Sequence, residues 1–101
     1  MSIPGAITPT EVATAHRLGA DFVKLFPVDL YGPSYVRTLR APLSNVRVLA
    51  VNGITAENMR EYLDAGVSGV GVGSGIVNKK LIEAGEFEKI TELARKYVRE
   101  I

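Results

Sequence analysis

The chain has 101 residues, 47% of them hydrophobic and 23% charged, with a formal net charge of +1 at pH 7. This length predicts one small globular domain, and the balanced charge gives no electrostatic reason to expect nucleic acid or an anionic membrane as a partner. The absence of cysteine excludes disulfides and a thiolate nucleophile. The chain also lacks a membrane-spanning run and a signal-peptide pattern, so we expect a cytoplasmic protein.

Helix and strand signals alternate along the chain. Thr8 and Glu11 match a capping box, Pro9 suits the first helical position, and Gly19 follows the last apolar residue of that helix. The predicted elements, in chain order, are a helix from Thr8 to Leu18, a strand over Phe22–Phe26, a shorter helix over Pro33–Leu43, a strand over Val46–Val51, a helix from Thr55 to Leu63, a strand over Gly69–Ser74, and a helix over about Phe87–Val98. The few residues before Pro4 form a further candidate strand. The last helix is expected to have an apolar face of Phe87, Ile90, Leu93, Ala94 and Val98.

Two segments of the chain match each other at an offset of about 47 residues, with Thr8 aligned to Thr55 and Gly19 to Gly66. This period is longer than one helix and one strand, so each repeat is expected to hold two βα units. The alternation predicts an α/β fold with a parallel sheet and right-handed crossovers. A doubly wound sheet and a (β/α)₈ barrel both fit this alternation, and the two-unit repeat favours part of a barrel.

Lys24 lies inside the apolar run Phe22–Phe26, although a lysine is rarely fully buried without a partner. In a barrel, Phe22, Lys24 and Phe26 would face the interior, near the strand end where barrel enzymes hold their active sites. Between two phenylalanines the ammonium would lose hydration, which favours a neutral amine that can form a Schiff base with a carbonyl. The alternative is an edge strand on which Lys24 prevents aggregation.

Two glycine turns follow the last two predicted strands, at Asn52-Gly53 and at Gly73-Ser74. Backbone N–H groups at the ends of the last strands of a barrel can bind a phosphate group. The alternative is that both are ordinary connections between a strand and a helix. The glycines within the last strand do not match a dinucleotide-binding fingerprint, and the only histidine, His16, does not supply enough ligands for a metal site.

These motifs resemble those of the bacterial 2-keto-3-deoxy-6-phosphogluconate and 4-hydroxy-2-oxoglutarate aldolases, which are class I, pyruvate-forming enzymes. The segments that carry the resemblance, in the same order and spacing, are "IPG" with "TPTE", "GADFVKLFP", "VRVLAVNGI", "GVGSG" and "AGEFEKITELARKYV". The resemblance implies a (β/α)₈ TIM-barrel type of fold about twice as long as this chain. Residues 1–101 would then be a single half-barrel domain, the C-terminal half of an aldolase barrel.

The resemblance also assigns roles to individual residues. It implies that Lys24 is the Schiff-base lysine. The positions that it implies for substrate binding are Phe26, Asn52, Gly53, Gly73 and Ser74. The family pattern at the seventh strand is Thr-Gly-Gly, whereas this chain has Val51-Asn52-Gly53, so a hydroxyl is lost and a side chain is added at a phosphate or carboxylate contact.

The implied function is cleavage of a 2-keto-3-deoxy-6-phospho sugar acid to pyruvate and glyceraldehyde 3-phosphate, with no metal or other cofactor. In the family, the general acid/base glutamate and a substrate-binding arginine come from the N-terminal half, and no glutamate at a strand end replaces them here. The alternatives are a phosphosugar-binding half-barrel without turnover and a structural half-barrel that self-associates.

A half-barrel would also need a partner for its uncovered surfaces. Two sheet edges would lack a neighbouring strand, and an apolar sheet face with Phe22, Phe26 and either Val48 or Leu49 would be exposed. We therefore expect a homo-oligomer or association with a complementary N-terminal half-barrel, in addition to the phosphorylated keto sugar acid or pyruvate.

Overall fold

The structure is a computed structural model that describes residues 1–101. Its strands are β1 (Gly5–Ala6), β2 (Val23–Leu25), β3 (Val48–Val51) and β4 (Gly69–Gly71). Its helices are α1 (Pro9–Arg17), α2 (Gly32–Arg40), α3 (Met59–Asp64), α4 (Lys79–Glu83) and α5 (Phe87–Val98), with one turn of 3-10 helix at Val28–Leu30 between β2 and α2.

All four strands are parallel and form one sheet in the order β1-β2-β3-β4. A doubly wound sheet reverses its strand order at a switch point, whereas in a (β/α)₈ barrel each strand pairs with the next one along the chain. The sequential order therefore confirms the prediction of a partial barrel, and the doubly wound alternative does not apply.

One face of the sheet, the covered face, packs against the helices. Alternate residues of β2 and β3 lie on it, because successive side chains of a strand point to opposite faces. The side chains of Val23, Leu25, Val48 and Ala50 are all at most 1% exposed. The main helix residues that join them in the core are Val12, Val36, Leu39, Met59 and Tyr62. Burial of each large apolar side chain contributes about 1.5–3 kcal/mol, so this face supplies most of the stabilisation.

The opposite face of the sheet, the open face, carries Phe22, Lys24 and Phe26 from β2 and its flanks, as the sequence predicts. Leu49 and Val51 of β3 lie on the same face. Phe22, Lys24, Leu49 and Val51 are half-buried, and Phe26 is 46% exposed. Of the two candidates for the uncovered apolar residue of β3, Leu49 is correct and Val48 is wrong.

The strands are shorter than the sequence patterns predict. The last pair of the ladder is Val51 with Gly71, so β4 ends there and not at Ser74. The chain then turns, because the N–H groups of Ile76 and Val77 bond to the carbonyl of Gly73. The first strand lies after Pro4 and not before it. The carbonyl of Pro4 accepts a bond from the N–H of Lys24 at 2.8 Å, which starts the pairing of β1 with β2.

The helix ends follow the predicted caps with two corrections. The capping box of Thr8 and Glu11 is confirmed, whereas regular helix α3 begins only at Met59, after a turn in which Thr55 and Asn58 cap each other. The bounds of α5 are confirmed, but Tyr97 is the buried residue of this helix and Val98 is 66% exposed. The short helix α4 was not predicted. None of the helices has the length and apolar character needed to cross a membrane.

Candidate functional site

Lys24 is the central residue of β2, and its side chain lies on the open face. β2 pairs with β1 on one side and with β3 on the other, so Lys24 is not on an edge strand and the aggregation-guard alternative is wrong. The side chain is half-buried and not fully buried, because nothing in the chain covers this face. The ion pairs of the protein all lie on or next to α3 and α5, so the ammonium of Lys24 has no carboxylate partner.

The neighbours of Lys24 leave its amine accessible from one side. Its Nζ lies 4.7 Å from the centroid of the Phe26 ring, within the range of a cation–π contact. Phe22, the other expected neighbour, is instead covered by the guanidinium of Arg47, 4.7 Å from its ring centroid. In the strand register Lys24 lies beside Gly5, and no heavy atom lies within 4 Å of the position that a Cβ of Gly5 would take. The open face beside β1 at Gly5 is therefore unoccupied.

The two glycine turns lie side by side at the carboxyl ends of β3 and β4. The first turn is Asn52-Gly53 and the second turn is Gly73-Ser74. Both line one open cavity of about 420 Å³, which we call the turn cavity. The structure thus brings four of the predicted site residues together, and Lys24 and Phe26 lie outside the lining of that cavity, on neighbouring β2. Their roles in binding or catalysis stay predictions.

The first turn has a constrained backbone. Asn52 has φ 91° and Gly53 has φ 69°, both in the left-handed region that asparagine and glycine tolerate best. The Asn52 amide Nδ2 donates to the carboxylate Oδ1 of Asp29 at 2.7 Å. A Cβ on Gly53 would lie 2.5 Å from the Cβ of Asp29. Only a glycine therefore fits between the first turn and Asp29.

Sequence reasoning missed Asp29, which follows β2 in the turn of 3-10 helix. The signal that could have indicated it is a carboxylate just beyond the carboxyl end of a strand, the edge at which parallel α/β folds place their sites. Its carboxylate is exposed and its bond to Asn52 holds the added side chain of the first turn. The change from the family pattern, Asn52 in place of glycine, thus has a local partner in this chain.

A second missed residue is Tyr97 of α5, which is 8% exposed. Its hydroxyl donates to the carbonyl of Ile54 at 3.2 Å, and a Cβ on Gly75 would overlap that hydroxyl. Ile54 follows the first turn and Gly75 follows the second, and both line the turn cavity. Burial raises the pKa of Tyr97, with a smaller contribution from the carboxylate of Glu57, so the phenol stays protonated.

Two other polar residues, Glu11 and His16, lie away from this site. Glu11 caps α1 as expected. The backbone N–H of Thr8 is the main cause of its lowered pKa, and the Thr8 hydroxyl and the N–H of Ile7 add to the effect. His16 is half-buried on α1, with its Nε2 3.5 Å from the side-chain nitrogen of Asn45. No group of three or more histidine, aspartate and glutamate side chains is placed to hold a metal ion.

Comparison with known proteins identifies the relatives of this chain. Residues 1–93 match the family model for KDPG and KHG aldolase. A 2-dehydro-3-deoxy-6-phosphogalactonate aldolase from Escherichia coli (strain K12) is 45% identical over 74 residues, 72% of this chain and 36% of that protein. A KHG/KDPG aldolase from the same strain is 35% identical over 98 residues, 95% of this chain and 46% of that protein. The solved "Native KDPGal structure" matches with a TM-score of 0.88 at 36% identity, over 99% of this chain and 48% of that one.

The extent of these matches defines what the chain has in common with its relatives. The family match includes every strand and every predicted site residue, from β1 to the second turn. The chain spans less than half the length of the curated relatives it matches. The family match over residues 1–93, together with the parallel sheet, shows that the chain belongs to the KDPG and KHG aldolase family.

Proposed function

We propose that this chain carries the Schiff-base lysine and the phosphate-binding turns of a class I aldolase. The observation that carries the proposal is the position of Lys24. It is an unpaired amine on the open face of an interior strand, and the ends of the next two strands form the turn cavity. The substrate would be a 2-keto-3-deoxy-6-phospho sugar acid, the class to which the substrate named for the 45% identical relative belongs.

The reaction begins when the side-chain nitrogen of Lys24 adds to the C2 carbonyl of the substrate. The resulting carbinolamine takes up one proton and loses water, which gives an iminium ion that withdraws electrons from the adjacent bonds. The C3–C4 bond then breaks, its electron pair neutralises the iminium as an enamine, and the C4 hydroxyl loses its proton to become the aldehyde of glyceraldehyde 3-phosphate. The enamine takes up a proton at C3, and hydrolysis releases pyruvate and regenerates Lys24.

The phosphate of the substrate would bind at the two turns. Backbone N–H groups in left-handed and glycine-rich turns can converge on an anion, which favours the dianionic phosphate over neutral groups. The Ser74 hydroxyl is exposed at the second turn and is a further donor. Phosphate binding at this end of the sheet would direct the keto end of the substrate towards β2 and Lys24.

The test is to trap the Schiff base. The chain is incubated with pyruvate, reduced with borohydride and mapped by mass spectrometry. Labelling is expected at Lys24, and the Lys24→Met variant should fold without being labelled there. The other lysines (Lys79, Lys80, Lys89 and Lys96) are exposed and serve as internal controls. Equal labelling of all five lysines would contradict the proposal.

A second candidate function is phosphosugar binding without turnover. The observation that favours it is the lack of a carboxylate partner for Lys24, because the C4 hydroxyl and the enamine both need a proton-transfer group. A retro-aldol assay of the chain, with and without the N-terminal half of a family member, separates the two functions. Turnover only in the presence of that half would indicate that the proton-transfer group comes from it.

We also propose that the open face is covered by a second copy of the chain or by a complementary half-barrel. Phe26 is 46% exposed on that face, and β1 and β4 each have one unpaired edge. Exposed apolar surface and free strand edges both favour association. Sedimentation equilibrium of the 101-residue chain should show a dimer or a larger oligomer. A monodisperse monomer that binds no hydrophobic dye would contradict this proposal.

A further inference from the structure

Helix α5 is mostly exposed, but one of its side chains contacts two residues that line the turn cavity, Ile54 and Gly75. Tyr97 is the one buried residue of this helix, whereas Phe87 and Val98 are exposed. A residue that only anchors a helix to the core is usually aliphatic. A tyrosine brings in addition a hydroxyl that must find a partner when it is buried.

The phenol hydroxyl of Tyr97 contacts both connections that follow the two turns. It donates to the carbonyl of Ile54 at 3.2 Å, one residue after Gly53. It also lies directly against Gly75, one residue after Ser74, where a Cβ would overlap the hydroxyl and lie 3.2 Å from the Cζ of the ring. The ring is rigid, so its contacts with Ile54 and Gly75 set the separation of the two connections.

We propose that Tyr97 is a positioning residue that fixes the first turn relative to the second, so that both bind the same anion. This inference rests on the proposed phosphate site, and Tyr97 itself does not touch the ligand. The hydrogen bond holds the first turn by the carbonyl of Ile54, and the close approach of Gly75 holds the second turn against the ring. Without the hydroxyl, the first turn loses this anchor and the N–H groups of the two turns no longer converge to the same degree.

The sequence offers a matched control in Tyr35 of α2. Its hydroxyl also donates to a backbone carbonyl, that of Ile7 at 2.5 Å, and burial raises the pKa of both tyrosines. Ile7 lies after β1, outside the lining of the turn cavity. Tyr35→Phe and Tyr97→Phe therefore remove the same chemical group from the same kind of contact. Only Tyr97 makes this contact with a residue that lines the turn cavity.

The first experiment measures the affinity for inorganic phosphate by titration of the chain, with the urea midpoint of unfolding measured in parallel. Tyr97→Phe should weaken phosphate binding about 5-fold, the equivalent of one hydrogen bond, and Tyr35→Phe should leave it unchanged. The two variants should lower the urea midpoint to a similar degree. Equal phosphate affinity in the wild type and Tyr97→Phe would overturn the inference, and so would equal losses in both variants.

A second pair of variants tests the contact with Gly75. Gly75→Ala should lower both the urea midpoint and the phosphate affinity, because the added methyl group displaces the hydroxyl. Combining it with Tyr97→Phe removes the severe overlap with the hydroxyl and leaves only the 3.2 Å approach to the ring carbon Cζ, so the double variant should lose less than the sum of the two single losses. Strictly additive losses would show that the two residues do not contact each other in solution and would overturn the inference.

The aldolase proposal is tested by an experiment that is independent of the phosphate titrations. Borohydride trapping of pyruvate on the wild-type chain tests Lys24 and does not depend on phosphate. Failure of that reaction would contradict the Schiff-base proposal and leave the phosphate comparison of Tyr97→Phe with Tyr35→Phe intact. A wild-type chain that binds no inorganic phosphate would overturn the phosphate site and the role of Tyr97 together, whatever the result for Lys24.

Discussion

The two glycine turns that line the turn cavity differ in whether the packing of the chain requires a glycine. In the first turn, Gly53 has φ 69° and is in contact with Asp29, so the packing of the chain itself excludes a side chain. In the second turn, Gly73 has no left-handed φ, and no heavy atom lies within 4 Å of the position that its Cβ would take. The fold therefore explains Gly53 but does not explain Gly73. A ligand that occupies the space in front of Gly73 would explain it.

The largest expected effect comes from placing a side chain in the first turn. Gly53→Ala combines a left-handed alanine with overlap of its Cβ and the side chain of Asp29. It should lower the free energy of unfolding by about 2–4 kcal/mol. Gly73→Ala is the matched control and should change that free energy by at most about 0.5 kcal/mol, because it has neither problem. Urea unfolding followed by circular dichroism measures both variants, and equal losses would remove the distinction between the turns.

The next largest effect is expected when a side chain fills the space in front of the second turn. Gly73→Val should weaken the binding of inorganic phosphate at least about 10-fold, or abolish it, because the branched side chain occupies the volume that the anion needs, whereas the fold is retained. Gly5→Val is the control, since Gly5 also has no atom within 4 Å of its Cβ position but lies in β1 beside Lys24. Unchanged phosphate affinity in Gly73→Val would contradict the assignment of the second turn.

The sequence predicts those parts of the molecule that depend on local patterns. The caps at Thr8 and Glu11 and the alternation of Val23, Lys24 and Leu25 follow from neighbouring residues alone, and the structure confirms them. The contacts that hold the turns do not follow from local patterns. Asp29 contacts a residue 23 positions away, and the partner of Tyr97 is 43 positions away. Both contacts exist only once the strands have paired and α5 has packed, so no spacing rule could have indicated them.

The lengths of the strands also depend on contacts that local sequence patterns do not predict. The β-branched run from Val46 predicts a strand of six residues, but each residue of a strand needs a partner on a neighbouring strand, and only Val48–Val51 have one. The open face is a similar case, since alternation assigns side chains to a face but does not say whether another surface covers it. For this reason the position of Lys24 was predictable and its degree of burial was not.

A smaller effect is expected from two substitutions of Asn52, the first residue of the first turn. Asn52→Ala should lower the free energy of unfolding by about 1–2 kcal/mol, because it loses the bond to Asp29 and leaves an alanine at φ 91°. Asn52→Gly loses the same bond but tolerates the backbone, so it should be about 1 kcal/mol more stable than Asn52→Ala. Thermal and urea unfolding of the two variants gives the comparison. Equal stabilities would mean that residue 52 does not adopt the left-handed conformation in solution.

The smallest expected effect concerns the hydroxyl of Ser74 in the second turn. The side chain of Ser74 is exposed, so Ser74→Ala should leave the free energy of unfolding unchanged. If the hydroxyl donates to the phosphate, the affinity should fall about 3- to 5-fold, as expected for one exposed hydrogen bond. Ser68→Ala, at the opposite end of β4, removes an exposed hydroxyl outside the turn cavity and should have no effect. An unchanged phosphate affinity in Ser74→Ala, together with a large loss in Gly73→Val, would assign the whole contribution of the second turn to its backbone N–H groups.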